Sequence, residues 1–431
     1  MIAVRLPYSS PETALAAFAD LPDLVFLDSA AEGDPRAQTS YLCLSANASL
    51  ALAAEPYTTL RSWMASHPPP ARPANWPFPF AGGAVGWIGY DLARDSAGVK
   101  TRFTPTPGLP GGWFGLYTTL LGFDVAAREL HYLGPAEQLP GIAARLRAPP
   151  KLPAIPKLAW RAEMDRLTYR EGHERLRALI AAGDVFQANF TFRFTAPRPN
   201  GLSLPALHLA LRARSPAPFA ACLQVQDFGL VCASPERFLR LTPGGAVETR
   251  PIKGTIARQE DPGRDAAAAA ALAQNPKERA ENLMITDLLR NDLGRVCAIG
   301  SVSVPELWAV EPYAQAHHLV SAVTGRLRPG LDAFDLLEAT LPGGSITGAP
   351  KHRAMQIIDA LECGPRGAYC GALAWIGFDG AMDSAIIIRT LTATPDRLYA
   401  QAGGGITWDS RAEAEYDEAM LKLSPLLVLR Q

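Results

Sequence analysis

At 431 residues the chain is past the size at which a single hydrophobic core stops growing, so one large or two ordinary domains are expected. Its composition, 48% hydrophobic and 19% charged, is that of a globular protein in water. A formal net charge of −1 excludes a global field for nucleic acid or an anionic membrane, so any bound anion must be held by a few local cations.

The six cysteines (Cys43, Cys222, Cys232, Cys297, Cys363 and Cys370) form no C-x-x-C pair and no zinc-like cluster with histidine, and they read as reduced core residues. The N-terminal MIAVRLPYSSPETALAAF lacks the charged-then-apolar pattern of a secretory leader, and the apolar run AIIIRTLTA is interrupted by Arg389. A cytoplasmic protein that spans no membrane is expected.

Strand-like runs punctuated by glycine dominate the first third: LVFLDSA, SYLCLSA, GGAVGWIGYDLA and WFGLYTTLLGFD. HPPPARPANWPFPF, residues 67 to 80, reads as an extended loop between them. RAPPKLPAIPKL, residues 147 to 158, is a stiff connection that no helix can continue. It divides the chain into an N-terminal region (1–147), a linker (148–158) and a C-terminal region (159–431).

After the linker both periodicities occur. LTYREGHERLRALIAAGD has apolar residues at helical spacing and ends in glycine, while FQANFTFRFTA alternates as a half-buried strand does. FAACLQVQDFGLVCASPERFLRLT reads as a hairpin, and AYCGALAWIGFDGAMDSAIIIRTLTA as another that turns at Asp379-Gly380. RDAAAAAALAQ is of low complexity and is open between helix and arm. Interspersed helices and hairpins predict an α+β fold with largely antiparallel sheet.

Two predicted helices carry carboxylates in register. In NPKERAENLMITDLLRNDLGRV, Asn275 is a natural N-cap, Pro276 opens the helix, and Glu278 stands at the capping-box position. Glu281 follows on roughly the same face. In the last helix Ser410 and Glu413 suggest a second capping box, and Glu415, Glu418 and Lys422 share one stripe. A surface ion-pair ladder and a divalent-cation site with one glutamate from each helix are both open at this point. So is Lys253 in RPIKGT, which is either solvated or held in a cleft.

Nine segments decide between these readings. GDVFQANFT, ASPERF, RPIKGT, KERAENLMITDLLRNDLGRV, HHLVSAVTG, LPGGSITGAPK, RGAYCGAL, GFDGAMDSAIIIRT and AGGGITWDSRAEAEYDEAMLKL resemble the chorismate-utilising enzymes, in the family order, from about residue 160 to 425. GGAVGWIGYDLAR and FLDSA are similar to the amino-terminal region of the ammonia-using members. The resemblance implies a single intertwined α+β fold: two largely antiparallel β-sheets flanked by helices, with the active site in a central cleft. It implies Mg2+ on Glu281 and Glu418, with Glu278 and Glu415 as a second acidic pair lining the metal site.

Chorismate is a dianion, and burying its carboxylates requires paired charge or donors. The resemblance matches Arg389 and Tyr369 to the enolpyruvyl carboxylate and gives Gly403, Gly404 and Gly405 backbone contacts to an anion. Lys422 adds a cation beside the metal pair, Thr255 lines the substrate with Lys253, and His318 matches an active-site histidine near the ring. Glu236, in ASPERF, matches the general acid. Gln187 stands where water-using members carry a lysine base, and an amide cannot serve as a general base. Lys253 stands where anthranilate-forming members generally carry alanine, and it implies covalent addition of its amine at carbon 2 of the ring. The implied product is 4-amino-4-deoxychorismate.

No segment matches the nucleophilic-cysteine elbow of glutamine amidotransferases. A separate amidotransferase subunit, forming a heterodimer and delivering ammonia, is therefore the expected partner. FLDSA departs from the LLES-type segment of feedback-inhibited anthranilate synthases, which implies no inhibition by tryptophan.

Overall fold

A computed structural model describes residues 1–31, 33–313 and 316–429. Two antiparallel sheets, of twelve and ten strands, face each other with helices on their outer sides. Both sheets draw strands from either side of the proline-rich connection. Leu24–Asp28 pairs with Phe219–Gln224 in the larger sheet, and Gly83–Ile88 pairs with Ala372–Gly377 in the smaller. The expected intertwined α+β architecture is therefore present, and neither sheet is complete without both regions.

The two hairpins form where the alternation placed them. Phe219–Gln224 pairs with Gly229–Ser234, and Ala372–Gly377 pairs with Met382–Ile386 through a turn with Gly380 at φ +81°. Each hairpin then leaves its sheet for the other. Gly229–Ser234 lies in the larger sheet and its continuation Arg237–Leu241 in the smaller; Met382–Ile386 lies in the smaller and Thr390–Ala393 in the larger. The crossings run side by side, tied by Ile386 N–H to the Glu236 carbonyl (3.2 Å) and Ala233 N–H to the Arg389 carbonyl (3.1 Å).

Between the sheets lies an aromatic-rich core that includes Trp76, Phe78, Phe80, Trp87, Trp113 and Tyr117. Burying each such side chain contributes about 1.5–3 kcal/mol. The loop at 67–80 thus delivers Trp76, Phe78 and Phe80 to this core, although it has no strand or helix of its own. The same core reaches Cys232 and Ile387, next to the crossings.

Several local expectations change. The alternation in FQANFTFRFTA is real, but its polar face is buried. Ala188, Phe190 and Phe192 pack under helices, while Gln187, Asn189 and Thr191 are also buried and line the opposite, interior face. The alanine-rich run is a helix, Pro262–Gln274, capped by Asp261. Asn275 caps Pro276–Gly294 as expected, but its own N–H goes to the Leu272 carbonyl of the preceding helix, so Glu278 is not needed for a capping box. The second capping box is absent: the helix Ala412–Leu427 has Arg411 at its N-cap, Ser410 donates to Glu415, and Glu413 pairs with Arg166. No helix among the described residues is long and apolar enough to cross a membrane.

One buried ion pair fastens these layers. Arg366 forks onto Glu362 at 2.7 and 3.0 Å, and donates to the carbonyls of Ile346 (2.8 Å) and Asn189 (2.7 Å). Glu362 in turn accepts from the Thr191 backbone and hydroxyl. Removing one partner leaves the other charge buried and alone, so Glu362→Gln or Arg366→Met should lower unfolding stability by about 3–5 kcal/mol. Urea denaturation followed by circular dichroism measures this.

Candidate active site

Each crossing carries one residue of the candidate site. Glu236 sits in the Ser234–Arg237 crossing and Arg389 in the Ile386–Thr390 crossing. Burial raises the Glu236 carboxyl above the usual carboxylate range, against the lowering effect of Lys253, the Ser345 hydroxyl and Arg36. That favours the protonated form, as a general acid requires. Arg389 has φ +50°, a left-handed conformation uncommon for a side-chain-bearing residue. Its guanidinium pKa is lowered by burial, and it makes no ion pair among the described residues. A half-buried, unpaired guanidinium suits an incoming carboxylate.

Lys253 lies on the strand Ile252–Ala257, close enough to Glu236, Glu281 and Glu418 that its charge favours the ionised form of each, although burial still raises Glu236 and Glu281. Gly254 has φ +85°, which favours glycine, and a β-carbon there would lie 3.0 Å from a Glu278 carboxylate oxygen. Glu278 therefore lies over the lysine turn. Across the strand pair, Thr255 opposes His318, and its hydroxyl is 2.9 Å from the imidazole Nδ1. Burial, then Arg36 and Arg389, lower His318 to about 4, so the ring is neutral at neutral pH.

The carboxylate helices converge on this lysine. Glu281 is raised by burial and by Glu278 and Glu415; Glu415 is raised by burial and by Glu418, although Ser410 donates to it at 2.8 Å. Burial also pushes Glu418 up, but Lys422 at 2.8 Å outweighs this and leaves it below the usual range. Like charges brought together at partial burial are unfavourable unless a cation joins them. No three histidine, cysteine or carboxylate groups among the described residues form a ready metal cage. The donor set still fits Mg2+, which needs one or two carboxylates and takes its other ligands from water and substrate. The two principal glutamates differ: the Glu281 side chain is 15% exposed and Glu418 58%.

Gly403, Gly404 and Gly405 lie in the strand Arg397–Ile406, not in a loop, and pair with Thr191, Phe190 and Asn189. Their role is clearance. A β-carbon on Gly403 would collide with the Phe190 carbonyl, one on Gly405 with the Gln187 amide, and one on Gly404 would lie 2.8 Å from Glu415. Lys422 donates to the Gly403 carbonyl at 3.1 Å. Gln187 is fully buried with both amide atoms unpartnered. Tyr369 is 6% exposed, packed beside Cys370 where the chain enters the smaller sheet.

Residues 24–428 match the family of chorismate binding enzymes. The chain belongs to that family. It is 46% identical over 352 residues to aminodeoxychorismate synthase component 1 of Klebsiella aerogenes, covering 81% of this chain and 77% of that one. It is 39% identical over 360 residues to anthranilate synthase component 1 of Thermus thermophilus, covering 81% and 77%. The crystal structure of anthranilate synthase component I from Streptococcus pneumoniae TIGR4 superposes with a TM-score of 0.79 at 31% identity, covering 91% of this chain and 93% of that one.

Within this chorismate binding fold, a separate cavity of about 230 Å³ lies between the sheets, lined by Ser29, Tyr41, Phe219, Trp375 and Asp383 among others. None of the sequence-predicted site residues lines it. Asp28 of FLDSA borders it, but its carboxylate is already taken by His208 (3.1 Å) and Arg212 (2.9 Å).

Sequence reasoning missed Ser345 and Arg36, which both act on Glu236. Ser345 sits in the recognised LPGGSITGAPK segment, whose match was its one available signal. Arg36 follows FLDSA in an irregular loop with no periodicity to mark it.

His318 supplies a pH test. Its folded value lies below the unfolded 6.5, so unfolding takes up a proton between about pH 6.5 and 4. Its contribution to stability is complete above pH 6.5 and is lost as pH falls through that window. Denaturant titrations at pH 7 and pH 4.5 should show a smaller acid-induced loss of stability for His318→Gln than for the wild type.

Proposed function

We propose that this chain is the component of an aminodeoxychorismate synthase that aminates chorismate at carbon 4, using ammonia delivered by a separate glutamine amidotransferase subunit. The observation that carries the reading is that Lys253 lies near enough to Glu236, Glu281 and Glu418 to act on all three carboxyls. That puts an amine, a proton donor and a metal-binding carboxylate pair around one volume. The names of the relatives at 36–46% identity support the same activity.

Glu281 and Glu418 would hold Mg2+, with Glu278 and Glu415 beside them. Bound there, the metal would neutralise the ring carboxylate of chorismate. Arg389 takes the enolpyruvyl carboxylate, with Tyr369 nearby, and the three glycines leave room for the ring. The amine nitrogen of Lys253 bonds to carbon 2, both ring double bonds shift, and the carbon 4–oxygen bond breaks. Glu236 gives its proton to the departing hydroxyl, which leaves as water, and the surplus proton on the lysine nitrogen restores Glu236. Ammonia then bonds to carbon 4, both double bonds shift back, and the carbon 2–nitrogen bond breaks. The released lysine takes the surplus proton of the new amine. Gln187 offers no base to deprotonate water, which disfavours hydroxylation at the same site.

Protein incubated with chorismate, Mg2+ and ammonium, with products separated chromatographically, tests the reading. Formation of 4-amino-4-deoxychorismate is expected, and anthranilate as the main product would overturn it. Glu281→Gln and Glu418→Gln should each weaken Mn2+ binding, followed by electron paramagnetic resonance, by about 10- to 100-fold.

A further inference from the structure

Arg36 is remote in sequence from every residue assigned above, yet its guanidinium reaches the site. Asp34 fixes it through a fork at 3.0 Å to Nε and 2.7 Å to Nη2, and also accepts from the Arg36 backbone at 2.8 Å. The pair is largely buried, with side chains 12% and 6% exposed. From this anchor Nη1 donates to the Pro235 carbonyl at 3.3 Å, in the peptide bond that leads directly into Glu236. The guanidinium also lies 4.3 Å from the centre of the Tyr313 ring, and that ring is 5.0 Å from the His318 ring. The Tyr313 hydroxyl is in turn bonded to Glu311, which pairs with Arg250.

We propose that Arg36 is a positioning residue for Glu236 and for the His318 ring, bracing the Pro235–Glu236 crossing on one side and the Tyr313–His318 stack on the other. A planar guanidinium held by a bidentate fork is rigid in a way an ammonium is not, so it can fix two neighbours at once. The charged and polar groups acting on Glu236 are Lys253, Ser345 and Arg36; those on His318 are the Thr255 hydroxyl at 2.9 Å, Arg36, Arg389, Asp34 and Glu311. Arg36 is the member common to both sets. It also belongs to the wall of the inter-sheet cavity, so it spans from that cavity to the acid. The proposal rests on the reading of Glu236 as general acid.

Arg36→Lys keeps a partner for Asp34 but loses the fork, and Arg36→Met removes the charge as well. With saturating ammonium and Mg2+, kcat should fall about tenfold in Arg36→Lys and about 100-fold in Arg36→Met, with KM for chorismate changed by no more than about threefold. Thermal melting by circular dichroism identifies any loss due to unfolding; Arg36→Lys should melt close to the wild type. Placed on Glu236→Gln, Arg36→Lys should cost clearly less than on wild type, because one of the two groups it positions is gone. Three results would overturn the proposal: kcat of both Arg36 variants within about twofold of wild type, a parallel rise in KM, or the same loss on Glu236→Gln as on wild type. If Glu236→Gln is itself fully active, the general-acid reading fails and this proposal with it. If Glu236→Gln is inactive while Arg36→Lys is normal, only the positioning role fails.

Discussion

The whole site depends on two strands changing sheets side by side. An antiparallel ladder satisfies its own backbone, but a strand that leaves one sheet for another has a few residues whose side chains belong to neither face. Here those residues are Pro235 and Glu236 on one crossing and Ile387 to Arg389 on the other, joined by two backbone hydrogen bonds. The hydrophobic core between the sheets includes Cys232 and Ile387, so the carboxyl of Glu236 and the guanidinium of Arg389 follow core residues closely in the chain. The remaining elements close around this gap: the lysine strand, the two carboxylate helices and the strand that carries the three glycines.

Electrostatics then sets the division of labour. Glu236 is held towards the protonated form by burial, whereas Glu418 is held ionised by Lys422. Both are glutamates within reach of the same Lys253, and their different surroundings support the different roles proposed for them, proton donor for Glu236 and cation ligand for Glu418. His318, flanked by Arg36 and Arg389, is kept neutral and able to accept or donate a hydrogen bond. A dianionic substrate would complete this arrangement, pairing with Arg389 and relieving the crowding of carboxylates through a divalent cation.

Much of this was legible in the sequence, for physical reasons that can be named. Alternation and turn residues gave both hairpins, and Asn275-Pro276 gave the helix start. Two features misled because a local signal has more than one structural use. The polar residues Gln187, Asn189 and Thr191 look like a solvent face, yet they are buried, and the first lines the glycine strand. Ser410 and Glu413 have capping-box spacing, but Ser410 is drawn to Glu415 and Glu413 to Arg166, partners that only tertiary structure supplies. The candidate site residues rest on the family resemblance; spacing alone left Lys253 and Glu418 open between surface charges and site residues. Arg36 escaped both routes, because its function depends on where a loop from the N-terminal region packs.

The central claim is that Lys253 bonds to the ring before ammonia does. Peptide-level mass spectrometry after rapid acid quench, with chorismate and Mg2+ but no ammonia, tests it most directly in wild type and Lys253→Ala. The account predicts a mass increase of chorismate less one water on the Lys253 peptide, in the wild type alone. An equal adduct in both proteins, an adduct on another residue, or none at any quench time would contradict it.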